Sequence, residues 1–261
     1  MKDVNTQIEE AIKTIESDRG CRVLFTMESG SRAWGFASPD SDYDVRGVYV
    51  KPLDWYLQLK NDIPDTIEKT FPGDLDISLW DLRKALAHTV KSNPSFLEWL
   101  GSPIIYRNSE LIDILNSLKA DCFNPVHVAY HYASLYRSAM KAQNEDGSIP
   151  IKKLCYALRA NLCLKYTMTF QQMPPTLFAD TLEQVELSAE EREAIQEVLS
   201  RKEHALESDT MTPDSRFEKL LEDQFDSIDS NHLDHRGPSA ETFARLEQLF
   251  RACVKGEMFQ E

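Results

Sequence analysis

Long apolar runs are missing from this chain: nowhere does it approach the roughly 18 consecutive apolar residues that span a bilayer as a helix. Met1-Lys2-Asp3 opens a polar, amphipathic stretch instead of a secretory signal, so a cytoplasmic protein with no membrane partner is expected. Cysteine is scarce as well. The five, Cys21, Cys122, Cys155, Cys163 and Cys253, are odd in number and lack Cys-x-x-Cys spacing, which points away from a disulfide framework or a zinc site and towards reduced, buried thiols. Basic charge is in deficit, with 29 Lys and Arg against 43 Asp and Glu for a net charge of −14. Broad binding to a long duplex, which works by neutralising phosphates, is therefore disfavoured; a local basic pocket for one nucleotide or one RNA end is not. The acidic surplus gathers in residues 181–261. Internal repeats are absent too.

What is present is a globular composition, 42% hydrophobic and 28% charged, over 261 residues, enough for one large domain or two of ordinary size. The informative stretch is Gly30-Ser31-Arg32-Ala33-Trp34-Gly35-Phe36 followed by Ser41-Asp42-Tyr43-Asp44-Val45-Arg46. A Gly-Ser turn offers backbone N–H groups and a hydroxyl to a phosphate, because glycine lets the backbone come close. Asp42 and Asp44, two apart on an expected strand, point to one face together with Arg46 and Val48, while Tyr43, Val45 and Tyr49 point to the other. Two hard oxygen donors on one face suit Mg²⁺ that also holds substrate phosphates. Alone, either half of the pattern is weak: Gly-Ser pairs are common, and Ser-Pro-Asp-Ser-Asp is turn chemistry. In this order, between inferred strands, they read as a nucleotide–metal site. Arg46 has two equal readings, as a phosphate ligand or as a structural partner of an aspartate. Trp34 reads as core before it reads as a base-stacking ring.

Strands are expected at 21–28, 42–50, 65–70, 75–80 and 104–107, with an amphipathic helix over 3–17 that buries Ile8, Ala11, Ile12 and Ile15. A helix over 81–90 and an Asn93-Pro94 helix start follow. After residue 108 the β pattern stops, and helices are expected at 109–119, 125–143, 150–168, 189–206, 214–228 and 239–254. On the 150–168 helix Lys152, Tyr156 and Arg159 fall near one face, either a ligand-holding cationic face or an ordinary solvated one. His232-Leu233-Asp234-His235 reads as a solvated loop, since no further ligand lies nearby in sequence.

The Gly-Ser, the spacer and the Asp-x-Asp resemble the signature of the DNA polymerase beta nucleotidyltransferase superfamily. The longer match, from Gly30 to Tyr56, then 74–86, Lys91-Ser92-Asn93-Pro94 to Leu100, Lys152 to Arg159, and Leu199-Ser200-Arg201-Lys202, resembles the RNA-repair-associated group of predicted nucleotidyltransferases (RlaP-type or YcgL-type). That resemblance covers most of residues 21–207 and fades beyond. It implies an α+β fold: a nucleotidyltransferase domain at 1–107 with a mixed sheet and helices, and a helical domain at 108–261 closing the active-site cleft. It implies a third carboxylate on a later strand, Asp76, with Asp74 in reserve. It implies catalysis and metal binding by Asp42, Asp44 and Asp76 with two Mg²⁺ (or Mn²⁺) ions, and nucleotide binding by Gly30, Ser31, Arg32, Arg46, Lys152, Tyr156 and Arg159. The implied reaction moves an NMP from an NTP, ATP first among them, to a hydroxyl acceptor such as an RNA end, releasing pyrophosphate, with an RNA ligase or other repair protein as a possible partner. Adenylylation of a protein or small molecule, and non-catalytic nucleotide binding, are the alternatives.

Overall fold

The computed structural model describes residues 3–59, 64–206, 209–229 and 233–257. In chain order the elements are α1 (Val4–Arg19), β1 (Arg22–Glu28), α2 (Gly30–Ala33), β2 (Tyr43–Val50), α3 (Leu53–Tyr56), β3 (Thr66–Phe71), β4 (Leu75–Asp81), α4 (Leu82–Val90), α5 (Pro94–Leu100) and β5 (Ile105–Arg107). They continue as α6 (Glu110–Cys122), α7 (Pro125–Met140), β6 (Ile149–Pro150), α8 (Ile151–Phe170), α9 (Phe178–Gln184), α10 (Ala189–His204), β7 (Thr210–Met211) and α11 (Ala240–Lys255). The class is α+β, as the sequence implies. No described helix is long and apolar enough to cross a membrane.

Two compact units form. The first comprises residues 1–33, 42–123 and 237–261, and the second residues 34–41 and 124–236. A single cut after residue 107 is not how these units divide, because α6 and α11 pack with α4 in the first unit. The reason is apolar surface: Leu111, Ile112, Leu115 and Leu118 of α6, and Leu246 and Leu249 of α11, are buried there.

The first unit is a five-stranded mixed sheet in the order β3-β4-β2-β1-β5. β2 and β4 run parallel, and the other neighbours are antiparallel. Alternation fixes what each face does. Val45 and Tyr49 of β2 and Leu75, Ile77 and Leu79 of β4 face α1, where Ile8, Ala11, Ile12 and Ile15 meet them in one buried cluster. Each such side chain contributes about 1.5–3 kcal/mol on burial, so α1 is held by its stripe more than by helix propensity. The opposite face of the same strands is left to Asp44, Arg46, Asp76, Ser78 and Trp80. Asp81 ends β4 and caps α4 by accepting the Arg83 N–H at 2.9 Å, and Asn93 caps α5 by accepting the Phe96 N–H at 3.1 Å.

The second unit is helical apart from the short β6–β7 pair. Its core is drawn from α8, α9, α10 and the Phe36 segment, with Leu154, Leu158, Leu162, Phe178, Ile195 and Val198 buried together. The helix expected at 214–228 does not form; two 3₁₀ turns, Ser215–Phe217 and Phe225–Ser227, stand there. Tertiary contacts take the carbonyls such a helix would need. Asn161 Nδ2 donates to the carbonyls of Leu220 (3.0 Å) and Glu222 (2.9 Å), and the Tyr136 hydroxyl donates to that of Leu221. Asp214 and Asp223 bind nearby backbone N–H groups, the local competition with helix that short acidic side chains exert.

Candidate active site

The two halves of the Gly-Ser…Asp-x-Asp pattern are joined by one backbone bond and one backbone-to-carboxylate bond. Ser29 N–H donates to the Asp44 carbonyl at 2.9 Å, and Asp44 N–H donates to Glu28 Oε1 at 2.8 Å. Gly30, which opens α2, has φ +64°, and a Cβ built on it would stand 2.5 Å from Asp44 Oδ2. Glycine is required twice over: for the left-handed backbone, and for the approach of a carboxylate to the turn. Ser31 and Arg32 follow, half-buried. Arg32 donates through Nε to the Asp42 carbonyl at 3.0 Å, and its guanidinium lies 3.9 Å from the Tyr43 ring centre.

Asp44 and Asp76 are direct neighbours in the parallel β2–β4 register, so their side chains leave the same face side by side. Between them sits Arg46. Its Nη1 donates to Asp76 Oδ2 at 2.7 Å and its Nη2 to Asp44 Oδ1 at 2.9 Å, a charge-assisted fork across both carboxylates. Asp74 lies in the turn before β4 with φ +55° and accepts the Tyr43 N–H through its carbonyl at 2.8 Å. Asp76, not Asp74, therefore stands in register with Asp44. Asp42 precedes β2 and is exposed. Among the described residues no group of three or more His, Cys, Asp or Glu is arranged to hold a metal ion; His232 lies outside those residues.

The donor set nevertheless suits a divalent cation. Two carboxylates converge on one positive charge, the Arg46 guanidinium, and a third, Asp42, is two residues from Asp44 on the same chain. All are hard oxygen donors.

Lys152, Tyr156 and Arg159 belong to the second unit, as does Trp34. Lys152 is exposed, whereas Arg159 is buried with its guanidinium 4.1 Å from the Trp34 ring centre. Tyr156 meets Trp34 edge-on at 5.5 Å, so Trp34 is a packed ring, as its size suggested. The expected cationic face is thus split: one end is in solvent and the other stacks on an indole.

Sequence reasoning missed Glu28. It is fully buried at the end of β1, accepts the Asp44 N–H through one oxygen and the Tyr106 hydroxyl through the other. Burial pushes its carboxyl above the usual range, against the pull of those two hydrogen bonds. In the sequence it is a single carboxylate closing a mainly apolar strand, with no spacing that marks it as a site residue.

Residues 4–252 match the family described as "RlaP: RNA repair pathway DNA polymerase beta family". The chain is 34% identical over 250 residues to "Uncharacterized protein YcgL" of Bacillus subtilis (strain 168), covering 95% of this chain and 96% of that protein. Among solved structures, a nucleotidyltransferase-like protein from Exiguobacterium sibiricum 255-15 aligns with 86% of this chain and 74% of its own, at 12% identity and a TM-score of 0.28.

Proposed function

Since this chain belongs to the RNA repair pathway DNA polymerase beta family, we propose that it transfers a nucleoside monophosphate from an NTP, ATP before the others, to the hydroxyl of an RNA end, releasing pyrophosphate. What supports this most is the pairing of Asp44 with Asp76 around a single cation, beside a glycine whose left-handed backbone and close approach to Asp44 disfavour any side chain.

In this reading the acceptor oxygen attacks the α-phosphorus, the bond from that phosphorus to the β-phosphate oxygen breaks, and the acceptor proton departs. Asp42, Asp44 and Asp76 would hold two Mg²⁺ or Mn²⁺ ions, whose charge stabilises the attacking and leaving oxygens when they are bound. Asp76 lies next to the acceptor and takes its proton. Gly30 and Ser31 offer backbone N–H groups and a hydroxyl to the β- and γ-phosphates, and Arg32 adds positive charge beside them. Arg46 neutralises Asp44 and Asp76 until the divalent charge does so. Lys152, Tyr156 and Arg159 are assigned to the nucleotide as well, and a ligase or other repair protein receives the product.

The net charge of −14 favours one other reading, adenylylation of a protein or small molecule, because it opposes long nucleic acids. Incubation with Mg²⁺ and α-labelled ATP in the presence of RNA, total protein and an aminoglycoside separates the two. Label in RNA is the expected result; label in protein or aminoglycoside alone replaces the acceptor, and label in no pool removes the transferase reading.

A further inference from the structure

A polar cavity lies in the first unit, at the far end of β4 from Asp76. It has a volume of about 460 Å³ and is walled by Trp55 and Tyr56 of α3, Asp65, Asp81, Arg83, Lys84 and His88 of α4, and Lys91 just past its end. That volume is within the usual range for a small-ligand site, about 300–1,000 Å³. Its acids are occupied. Asp81 accepts the Tyr56 hydroxyl at 2.6 Å and the Arg83 N–H, and Asp65 accepts from Lys84 Nζ at 2.9 Å. Arg83 is exposed and forms no ion pair with a described carboxylate; its guanidinium lies 5.1 Å from the Tyr56 ring centre and 5.4 Å from that of Phe250. His88 packs against Trp80 with ring centres 4.6 Å apart and planes tilted by 35°, and its buried Nδ1 has no hydrogen-bond partner among the described residues. The wall therefore carries the Arg83 guanidinium and the Lys91 ammonium, with Lys84 paired to Asp65, beside half-buried aromatic rings, the pairing that binds a phosphate with its neighbouring base.

Two residues of the cavity wall, Lys84 and His88, reach the strand face that carries the carboxylates. Trp80, against which Lys84 (5.3 Å) and His88 lie, alternates onto the same face as Asp76. Asp76 and Trp80 are four residues apart on that face, a rise of about 14 Å. That is the length of a few nucleotides.

Resting on the proposed transfer to RNA, we infer that this cavity holds an internal nucleotide of the single-stranded acceptor, upstream of the end at Asp76. Arg83 and Lys91 contact its phosphate, and Trp55 stacks on its base. Such a subsite gives an acidic protein a local means of gripping RNA without a basic surface.

The test is fluorescence anisotropy with a labelled single-stranded RNA of about 12 nucleotides, within the range of single-strand site sizes, titrated at several salt concentrations without NTP. An Arg83→Ala, Lys91→Ala double variant is expected to bind about tenfold more weakly, and its slope of log affinity against log salt should shrink by about 1.4, or about 0.7 for each phosphate charge that is no longer neutralised. Trp55→Ala should weaken binding and leave the slope unchanged, because it removes stacking and no charge. Unchanged affinity and slope in the double variant, or no RNA binding by the unaltered protein, overturn the inference. So does AMP that binds in an Arg83-dependent way where RNA does not, since the cavity would then serve a free nucleotide. The unaltered protein keeps the two claims apart: if it labels no pool while RNA binding still depends on Arg83 and Lys91, the transfer reading falls and the cavity stands as a single-strand RNA subsite.

Discussion

Gly30 is the residue whose replacement has the most predictable cost. Alanine there meets Asp44 Oδ2 at 2.5 Å and must adopt φ +64°. The left-handed conformation alone costs about 1–2 kcal/mol for a residue with a Cβ. Gly30→Ala should lower stability by at least that amount in urea unfolding and displace Asp44, so transfer should fall far more than stability does. Glu28 carries a second prediction. Its carboxyl is raised above the ordinary 4.5, so the folded protein holds that proton more tightly than the unfolded chain does. The stabilisation is complete below 4.5 and is lost as pH rises through the folded value. Glu28→Gln should therefore flatten this part of the stability–pH curve and make the protein relatively more stable near neutrality, as measured by Tm across pH. A Tm profile identical to that of the unaltered protein would contradict it. Asp44 could be read in the sequence because Asp-x-Asp follows a Gly-Ser turn; Glu28 could not, because a single buried acid has no spacing to betray it. Pairing between Arg46 and the aspartates was legible only as one of two equal options, since strand register, not sequence order, brings Asp76 beside Asp44.

Among the elements, β2 and β4 matter most to the site, and α1 holds them from behind. Ile12 is fully buried against that sheet face, so Ile12→Ala should cost about 2–5 kcal/mol while leaving the carboxylate face chemically unaltered. The strands and α1 were readable because alternation and the 3.6 period are strong in short windows. The 214–228 segment was not, because Asn161 and Tyr136 from distant helices claim its carbonyls, and no local pattern announces that. Arg46 supplies the prediction at the level of the strand pair. Arg46→Met leaves Asp44 and Asp76 facing each other without the fork, so the metal-free protein should lose about 1.5–3 kcal/mol, the range for hydrogen bonds to charged groups. Mg²⁺ should then raise the Tm of this variant more than that of the unaltered protein, because no guanidinium has to be displaced. An equal or smaller Mg²⁺ shift would show that the two cations do not share the carboxylates.

At the scale of the whole molecule, a chain of net charge −14 gathers Asp44, Arg46 and Asp76 on one face of one sheet. Functional carboxylates of this kind often cost stability, so their removal should leave the fold intact. The direct test of the central claim is transfer of label from α-labelled ATP, with Mg²⁺, by an Asp42→Ala, Asp44→Ala double variant whose folding is verified by thermal unfolding. The account predicts a folded protein with no transfer above background, beside an unaltered protein that labels RNA. Undiminished Mg²⁺-dependent transfer by the double variant would contradict it.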